Sequence, residues 1–200
     1  MVVVVGSQGA LEPFGRILDA LPPAVPFAII FDFHRSDGQR FTEGLLSRRA
    51  GLSVRRAING VAPEPGTIYL TPPESQVLVT EDGTLSVIER RIDHSWHQGV
   101  DALLRSAAEA HGERLIAVVL SGRLDGGADG ARAVKARGGR VLAQDPSTAA
   151  AAAMPNGALA TGCVDFALPP ESLGHGLMAL CASSGAAELF RVRLNAGARG

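Results

Sequence analysis

Ser7, His34 and Asp125 each stand where an apolar run gives way to a polar or glycine-rich turn. Together they are the residue types that acyl transfer requires. A serine hydroxyl is a weak nucleophile until a base takes its proton. An imidazole does so near neutral pH, and a carboxylate fixes its tautomer and stabilises the imidazolium. Ser7 lies in Gly6-Ser7-Gln8-Gly9, which offers the backbone N–H groups of Gln8 and Gly9 to a developing oxyanion. One such donor is worth about 3 kcal/mol. Gly6 and Gly9 leave room for a substrate backbone beside the nucleophile. The same stretch admits two other readings. One is a plain tight strand-to-helix connection. The other is a dinucleotide-type phosphate turn, with Asp32 as the acidic residue near the end of the next strand. Gly-x-Gly-x-x-Gly is absent, however, and no Gly-Lys-Ser/Thr occurs, which excludes a P-loop.

The elements that must carry these residues follow from periodicity. Val2-Val3-Val4-Val5 reads as a stiff strand buried on both faces of a parallel sheet. Leu11, Phe14, Ile17, Leu18 and Leu21 then recur at helical spacing. Prolines 22, 23 and 26 make a rigid connection. Residues 27–33 form a second apolar strand ending at His34, residues 41–49 a helix with Leu45 and Leu46 inward, and residues 53–58 and 67–70 short strands. Residues 76–80 and 84–89 alternate around Glu81-Asp82-Gly83, a hairpin pattern, so the middle of the chain is expected to form an antiparallel patch within or at the edge of the parallel sheet.

Residues 93–97 read as a polar loop, and 100–111 as a helix with Val100, Leu103, Leu104 and Ala107 on one face. Residues 115–120 are a buried strand opening onto Ser121-Gly122-Arg123-Leu124-Asp125-Gly126-Gly127, and 128–137 a helix closed by Gly138-Gly139. After a strand at 140–143, Gln144-Asp145-Pro146-Ser147 should cap a helix through the alanines 149–153, broken by Met154-Pro155-Asn156-Gly157. Residues 163–168 are the last strand and 171–183 the last helix. The expected fold is α/β: a doubly wound, mainly parallel sheet of Rossmann-like three-layer type, with a small antiparallel β-hairpin. Residues 1–185 would be the catalytic domain and 186–200 a C-terminal tail. Carboxyl ends of parallel strands share one edge, so Ser7, His34 and the 121–125 loop can converge there.

Composition narrows the partners. A net charge of −1 with no Lys/Arg run excludes a nucleic-acid surface. Hydrophobic residues are 46% of the chain and aromatics 4%, so the core is aliphatic. Cys163 and Cys181 do not make a disulfide framework and read as buried free thiols. His94, His97, His111 and His175 read as surface or loop groups. The four valines are neither a signal peptide nor a membrane span. A cytoplasmic location without membrane insertion is expected, with no metal and no cofactor.

The chain resembles the catalytic domain of the bacterial chemotaxis protein-glutamate methylesterase family. The resemblance rests on Val141-Leu142-Ala143-Gln144-Asp145-Pro146-Ser147-Thr148-Ala149, Met154-Pro155, Ala160-Thr161-Gly162 and Val164-Asp165-Phe166-Ala167-Leu168-Pro169. It rests also on Glu64-Pro65-Gly66-Thr67-Ile68-Tyr69-Leu70-Thr71-Pro72. Gly6-Ser7-Gln8-Gly9 stands in place of the family's G-A-S-T-G-G turn, His34 in place of its Q-H-M-P histidine, and Leu120-Ser121-Gly122 opens its L-T-G-M-G-x-D-G loop.

The resemblance implies hydrolysis of glutamate methyl esters on the cytoplasmic helices of methyl-accepting chemoreceptors, with deamidation of glutamine, in chemotaxis-type two-component signalling. Ser7 would be nucleophile, His34 base and Asp125 the residue orienting His34. A receiver domain, in the same protein or a separate one, would be a further partner. Gln8-Gly9-Ala10 replaces Thr-Gly-Gly, Phe33 replaces Gln, Arg35-Ser36-Asp37 replaces Met-Pro-Pro, and Arg123 replaces Met. Counting from Ser121-Gly122 puts Gly126 at the family's aspartate position. A one-residue shift restores Asp125, and Asp129 is a poorer substitute. The alternative is a degenerate, catalytically impaired homologue serving as a signalling or binding module.

Overall fold

The computed structural model describes residues 1–33, 44, 46, 47, 49, 51–89, 96–123 and 126–182. Its centre is β1 (Val2–Gly6), in which Val2, Val3, Val4 and Val5 are all 0% exposed. β1 pairs in parallel with β2 (Ile29–Phe33) on one side and β7 (Ile116–Val119) on the other. β3 (Ser53–Arg56), β4 (Thr67–Leu70), β8 (Arg140–Gln144) and β9 (Phe166–Leu168) complete a seven-stranded sheet in the order β3-β4-β2-β1-β7-β8-β9. Every pairing in it is parallel.

Alternation along β1 feeds two cores. Val2 and Val4 pack with Phe14 and Ile17 of α1 (Leu11–Asp19) and with Leu173 and Leu177 of α5 (Pro170–Ala182). Val3 and Val5 pack with Leu103 and Leu104 of α2 (Trp96–His111), Ala131 and Val134 of α3 (Ala128–Ala136), and Met154 and Ala158 of α4 (Ala153–Ala160). Fully burying a valine contributes about 1.5–3 kcal/mol, so this strand is a strong anchor for both layers. The doubly wound three-layer expectation holds. The chain leaves β1 toward β2 and returns on its other side at β7, so the carboxyl end of β1 is a topological switch point.

Several expectations are corrected. β5 (Ser75–Val79) and β6 (Leu85–Glu89) form the expected hairpin, but as a separate two-stranded sheet, while β3 and β4 join the parallel sheet. The hairpin's backbone is occupied elsewhere. Val79 N–H donates to Ser106 Oγ of α2 (3.1 Å), Leu85 N–H to Val61 O (2.8 Å) and Val87 N–H to Asn59 Oδ1 (3.1 Å).

Residues 149–152 are not helical, and α4 begins at the stretch read as its breaker. Ala151 N–H is bound by Ser121 Oγ (2.9 Å) and Ala151 O by Gly122 N–H (2.8 Å), which overrides alanine's propensity. Pro155 is tolerated because first-turn N–H groups lack intrahelical acceptors. Asp145 caps a one-turn 3₁₀ segment (Pro146–Thr148) instead, and the Ser147 N–H it accepts (2.9 Å) lowers its pKa.

α2 starts one turn before Val100, so Trp96 and His97 are helical, while 93–95 fall outside the described residues. Most of the 41–49 helix, His94 and the 186–200 tail lie outside them as well. Cys163 and Cys181 are free but only half-buried. No described helix is long and apolar enough to cross a membrane.

His111 departs from its expected surface role. It ends α2 half-buried, with Nε2 buried and without a partner among the described residues. Burial first, then the positive charges of the chain's amino group and Arg114, lower its pKa. The folded chain therefore favours the neutral ring. That contribution to stability is complete above the free imidazole's pKa and is lost as the pH falls through the folded-state value. His111→Gln should flatten this decline. Between about pH 7 and about pH 5 its urea midpoint should fall less than that of the parent, and an equal fall would count against the assignment.

Candidate active site

Ser7 follows the last residue of β1 at the carboxyl edge of the sheet and is 7% exposed. Its N–H donates to Ser121 O (2.9 Å), one step beyond the point where Leu120 N–H donates to Val5 O (2.8 Å). The β1–β7 pairing thus continues into the turn and fixes the main chain of Ser7. Its Oγ accepts the backbone N–H of Arg123 at 3.1 Å. That bond uses a lone pair and leaves the hydroxyl proton for a base. A peptide N–H aimed at a nucleophilic oxygen also favours any charge that grows there.

Three glycines allow this approach. A Cβ on Gly6 would lie 2.5 Å from Ala10 Cβ and 3.2 Å from Ser121 O. A Cβ on Gly122 would lie 2.6 Å from Ser7 Oγ and 2.1 Å from Met154 Sδ. Gly9 takes a φ of +80°, and a Cβ there would meet Ala150 Cβ at 2.8 Å. Gln8 and Gly9 are exposed at the tip of the turn, and among the described residues neither N–H has an acceptor. Ser121, 0% exposed, ties the turn inward: its Oγ donates to Gln8 O (2.8 Å), and its N–H donates to Gln144 Oε1 (2.9 Å).

Comparison with known proteins decides the family. The model for CheB methylesterase matches residues 2–177. The chain belongs to the CheB methylesterase family. It is similar to the protein-glutamate methylesterase FrzG of Myxococcus xanthus, with 35% identity over 181 residues, 89% of this chain and 54% of that protein. It is similar also to a protein-glutamate methylesterase/protein-glutamine glutaminase of Moorella thermoacetica, with 35% identity over 193 residues, 92% of this chain and 45% of that protein. The chain thus spans about half the length of these curated relatives. The crystal structure of the Thermotoga maritima CheB methylesterase catalytic domain superposes with a TM-score of 0.80 at 28% identity, covering 88% of this chain and 96% of that one.

Within this CheB-type fold, Gly6, Ser7, Gln8 and Gly9 form one turn, brought against the opening of the 121–126 loop. His34, the residue after β2's last, and Asp125 lie outside the described residues. Asp129, the poorer substitute, is exposed and paired with Arg132 (2.7 Å), turned to solvent on α3. Asp32 is 3% exposed within β2, in register with Val5, so it is no surface acid for a ribose. The Arg123 N–H escaped the sequence reading because a backbone donor has no residue signature. Gly122, the place where side-chain bulk must vanish beside a serine, was the available signal.

Far from the turn, the Asp165 of the Val164-Asp165-Phe166 motif is structural. It accepts Lys135 Nζ (2.7 Å) and Val141 N–H (2.8 Å), joining α3 to the β8–β9 crossing. Among the described residues no His, Cys, Asp and Glu group could hold a metal.

Gly122→Ala tests the packing of the site directly. The added methyl has Met154 Sδ and Ser7 Oγ in its place, an overpacking that costs about 1–3 kcal/mol. The urea midpoint should fall accordingly. Parental stability would show that the contact is not made.

Proposed function

We propose that this chain hydrolyses protein glutamate methyl esters, with Ser7 as nucleophile. The observation that carries the reading is the Ser7 hydroxyl at the switch-point edge, whose oxygen accepts the Arg123 N–H at 3.1 Å, in a chain of the CheB methylesterase family. In the proposed reaction Ser7 Oγ attacks the ester carbonyl while His34 takes its proton. The tetrahedral oxyanion is met by the backbone N–H groups of Gln8 and Gly9, while the Arg123 N–H stays on Ser7 Oγ. Collapse expels methoxide, which takes the proton from His34 and leaves as methanol. Water, deprotonated by His34, then releases the glutamate carboxylate and restores Ser7. With a glutamine amide the same sequence releases ammonia. Asp125 is assigned to orienting His34, and the substrates to cytoplasmic helices of methyl-accepting chemoreceptors in chemotaxis-type signalling. The relatives' names support the chemistry.

A second reading is favoured by the 121–126 spacing, in which Gly126 falls at the family's aspartate position: an impaired homologue that binds receptors without turnover. Two variants separate the readings. Ser7→Ala should abolish methanol release from a methylated receptor fragment, by about 10³-fold or more, the scale on which loss of a nucleophile acts. Undiminished release would remove Ser7 from the mechanism. Asp125→Asn should lower kcat by about 10²–10⁴-fold with little change in KM, as loss of the orienting carboxylate does in such triads. Parental turnover in Asp125→Asn would transfer the orienting role away from Asp125, and absence of Ser7-dependent turnover in the parent would favour the binding module.

A further inference from the structure

One buried hydroxyl is used by the nucleophile turn and by no step of the reaction. Ser121 is 0% exposed, and groups of Ser7, Gln8, Gln144 and Ala151 meet on it. Its carbonyl accepts Ser7 N–H (2.9 Å), and its N–H donates to Gln144 Oε1 (2.9 Å). Its Oγ donates to Gln8 O (2.8 Å), with Ala151 O farther off at 3.3 Å, and accepts Ala151 N–H (2.9 Å). Gln144, 1% exposed, is itself held through Nε2 by Thr148 O (3.1 Å) and Thr148 Oγ1 (3.2 Å). The next residue, Gly122, is bonded at both ends: its N–H donates to Ala151 O (2.8 Å) and its carbonyl accepts Met154 N–H (3.0 Å). The donor aimed at Ser7 Oγ belongs to the residue after that.

Peptide geometry gives this hydroxyl a consequence. The C=O of Gln8 and the N–H of Gly9 belong to one planar trans unit and point in opposite directions. Holding the Gln8 carbonyl inward on Ser121 Oγ therefore turns the Gly9 N–H outward, onto the exposed tip of the turn. The positive φ of Gly9 and the 2.9 Å between its would-be Cβ and Ser121 Oγ show how closely the turn is drawn onto that hydroxyl. We propose that Ser121 is a positioning residue: its buried hydroxyl holds the Gln8 carbonyl and so aims the Gly9 N–H at the substrate side of the Ser7 turn. Its main chain meanwhile fixes Ser7. The assignment rests on the methylesterase reading for its catalytic consequence, and on the geometry alone for the orientation of the peptide. Donors of this kind act only when aimed at the oxygen's transition-state position, so loss of aim lowers kcat rather than substrate affinity.

The test compares the parent with Ser121→Ala and Ser121→Thr, the second of which keeps the hydroxyl. On a methylated receptor fragment Ser121→Ala should lower kcat about 10–100-fold with KM within about twofold, and Ser121→Thr should restore kcat to within about threefold of the parent. Thermal melts of all three proteins identify any variant that has unfolded. Independently of turnover, ¹⁵N–¹H spectra of Ser121→Ala should show the Gly9 amide shifted, with the β8 amides unchanged. A folded Ser121→Ala with parental kcat overturns the proposal. So does a folded Ser121→Thr no better than Ser121→Ala, and so does an unmoved Gly9 amide. If the parent shows no Ser7-dependent methanol release, the methylesterase reading falls, and the Gly9 amide alone then decides whether Ser121 aims that peptide.

Discussion

The fold depends on a close approach between two strand ends. β1 and β7 run parallel and fully buried, and their pairing does not stop where the strands do: Ser7 N–H still reaches Ser121 O at 2.9 Å. Two turns forced together at that distance leave little room for bulk where they face each other. Gly6 and Gly122 therefore lie on the facing surfaces, with Ala10 beneath and Met154 behind. The hydroxyl of Ser7 occupies the space that Gly122 leaves. A small residue on one turn is the condition for a functional residue on the other. The apolar drive that buries Val2–Val5 on both faces thus also delivers an alcohol to the sheet edge with its main chain immobilised.

The parts of this fold that were legible in the sequence are those governed by short-range periodicity. Four valines mark a strand buried on both sides, and the spacing of Phe14, Ile17 and Leu18 marks the helix that covers one of them. The misread parts are those in which backbone groups answer to partners far away in the chain. Residues 149–152 carry the strongest helix-forming composition in the protein, yet Ala151 gives both of its polar groups to Ser121 and Gly122, some thirty residues earlier. Local propensity among alanines is worth only a fraction of a kcal/mol per residue, whereas an orphaned buried N–H or C=O costs about 1–3 kcal/mol. The hairpin follows the same rule. Its alternation was visible, but its separation from the parallel sheet depends on Ser106, Asn59 and Val61, which no pattern within residues 75–89 could announce.

The site divides along the same line. The place of Ser7 was legible, because a run of four valines must form a strand and the glycines after it must form a turn. Arg123 was noticed for its side chain, in a position where the family has methionine, but the group that meets Ser7 is its amide. Gln144 was read as part of a helix cap, and it instead reaches across to β7's turn. Side-chain identity in a sequence advertises side-chain chemistry. It is silent about carbonyls and amides, such as the Ser121 carbonyl and the Arg123 amide that meet Ser7.

The described residues before and after the Leu124-Asp125 pair are each anchored from elsewhere in the chain. Before it, Gly122 is bonded to Ala151 and Met154, and Arg123 N–H to Ser7 Oγ. After it, Asp101 of α2 accepts Gly127 N–H (3.0 Å) and Gly130 N–H (2.7 Å), capping α3 in place of a local side chain. Burial raises the pKa of Asp101 more than these two bonds lower it, a sign of how far the carboxylate is drawn in to reach the loop. Both anchors come from outside the turn: the Ser7 hydroxyl holds Arg123, and the Asp101 carboxylate, on a different helix, holds Gly127 and Gly130. The start of α3 and the main chain facing Ser7 are thus placed by partners distant in sequence, as the rest of the sheet edge is.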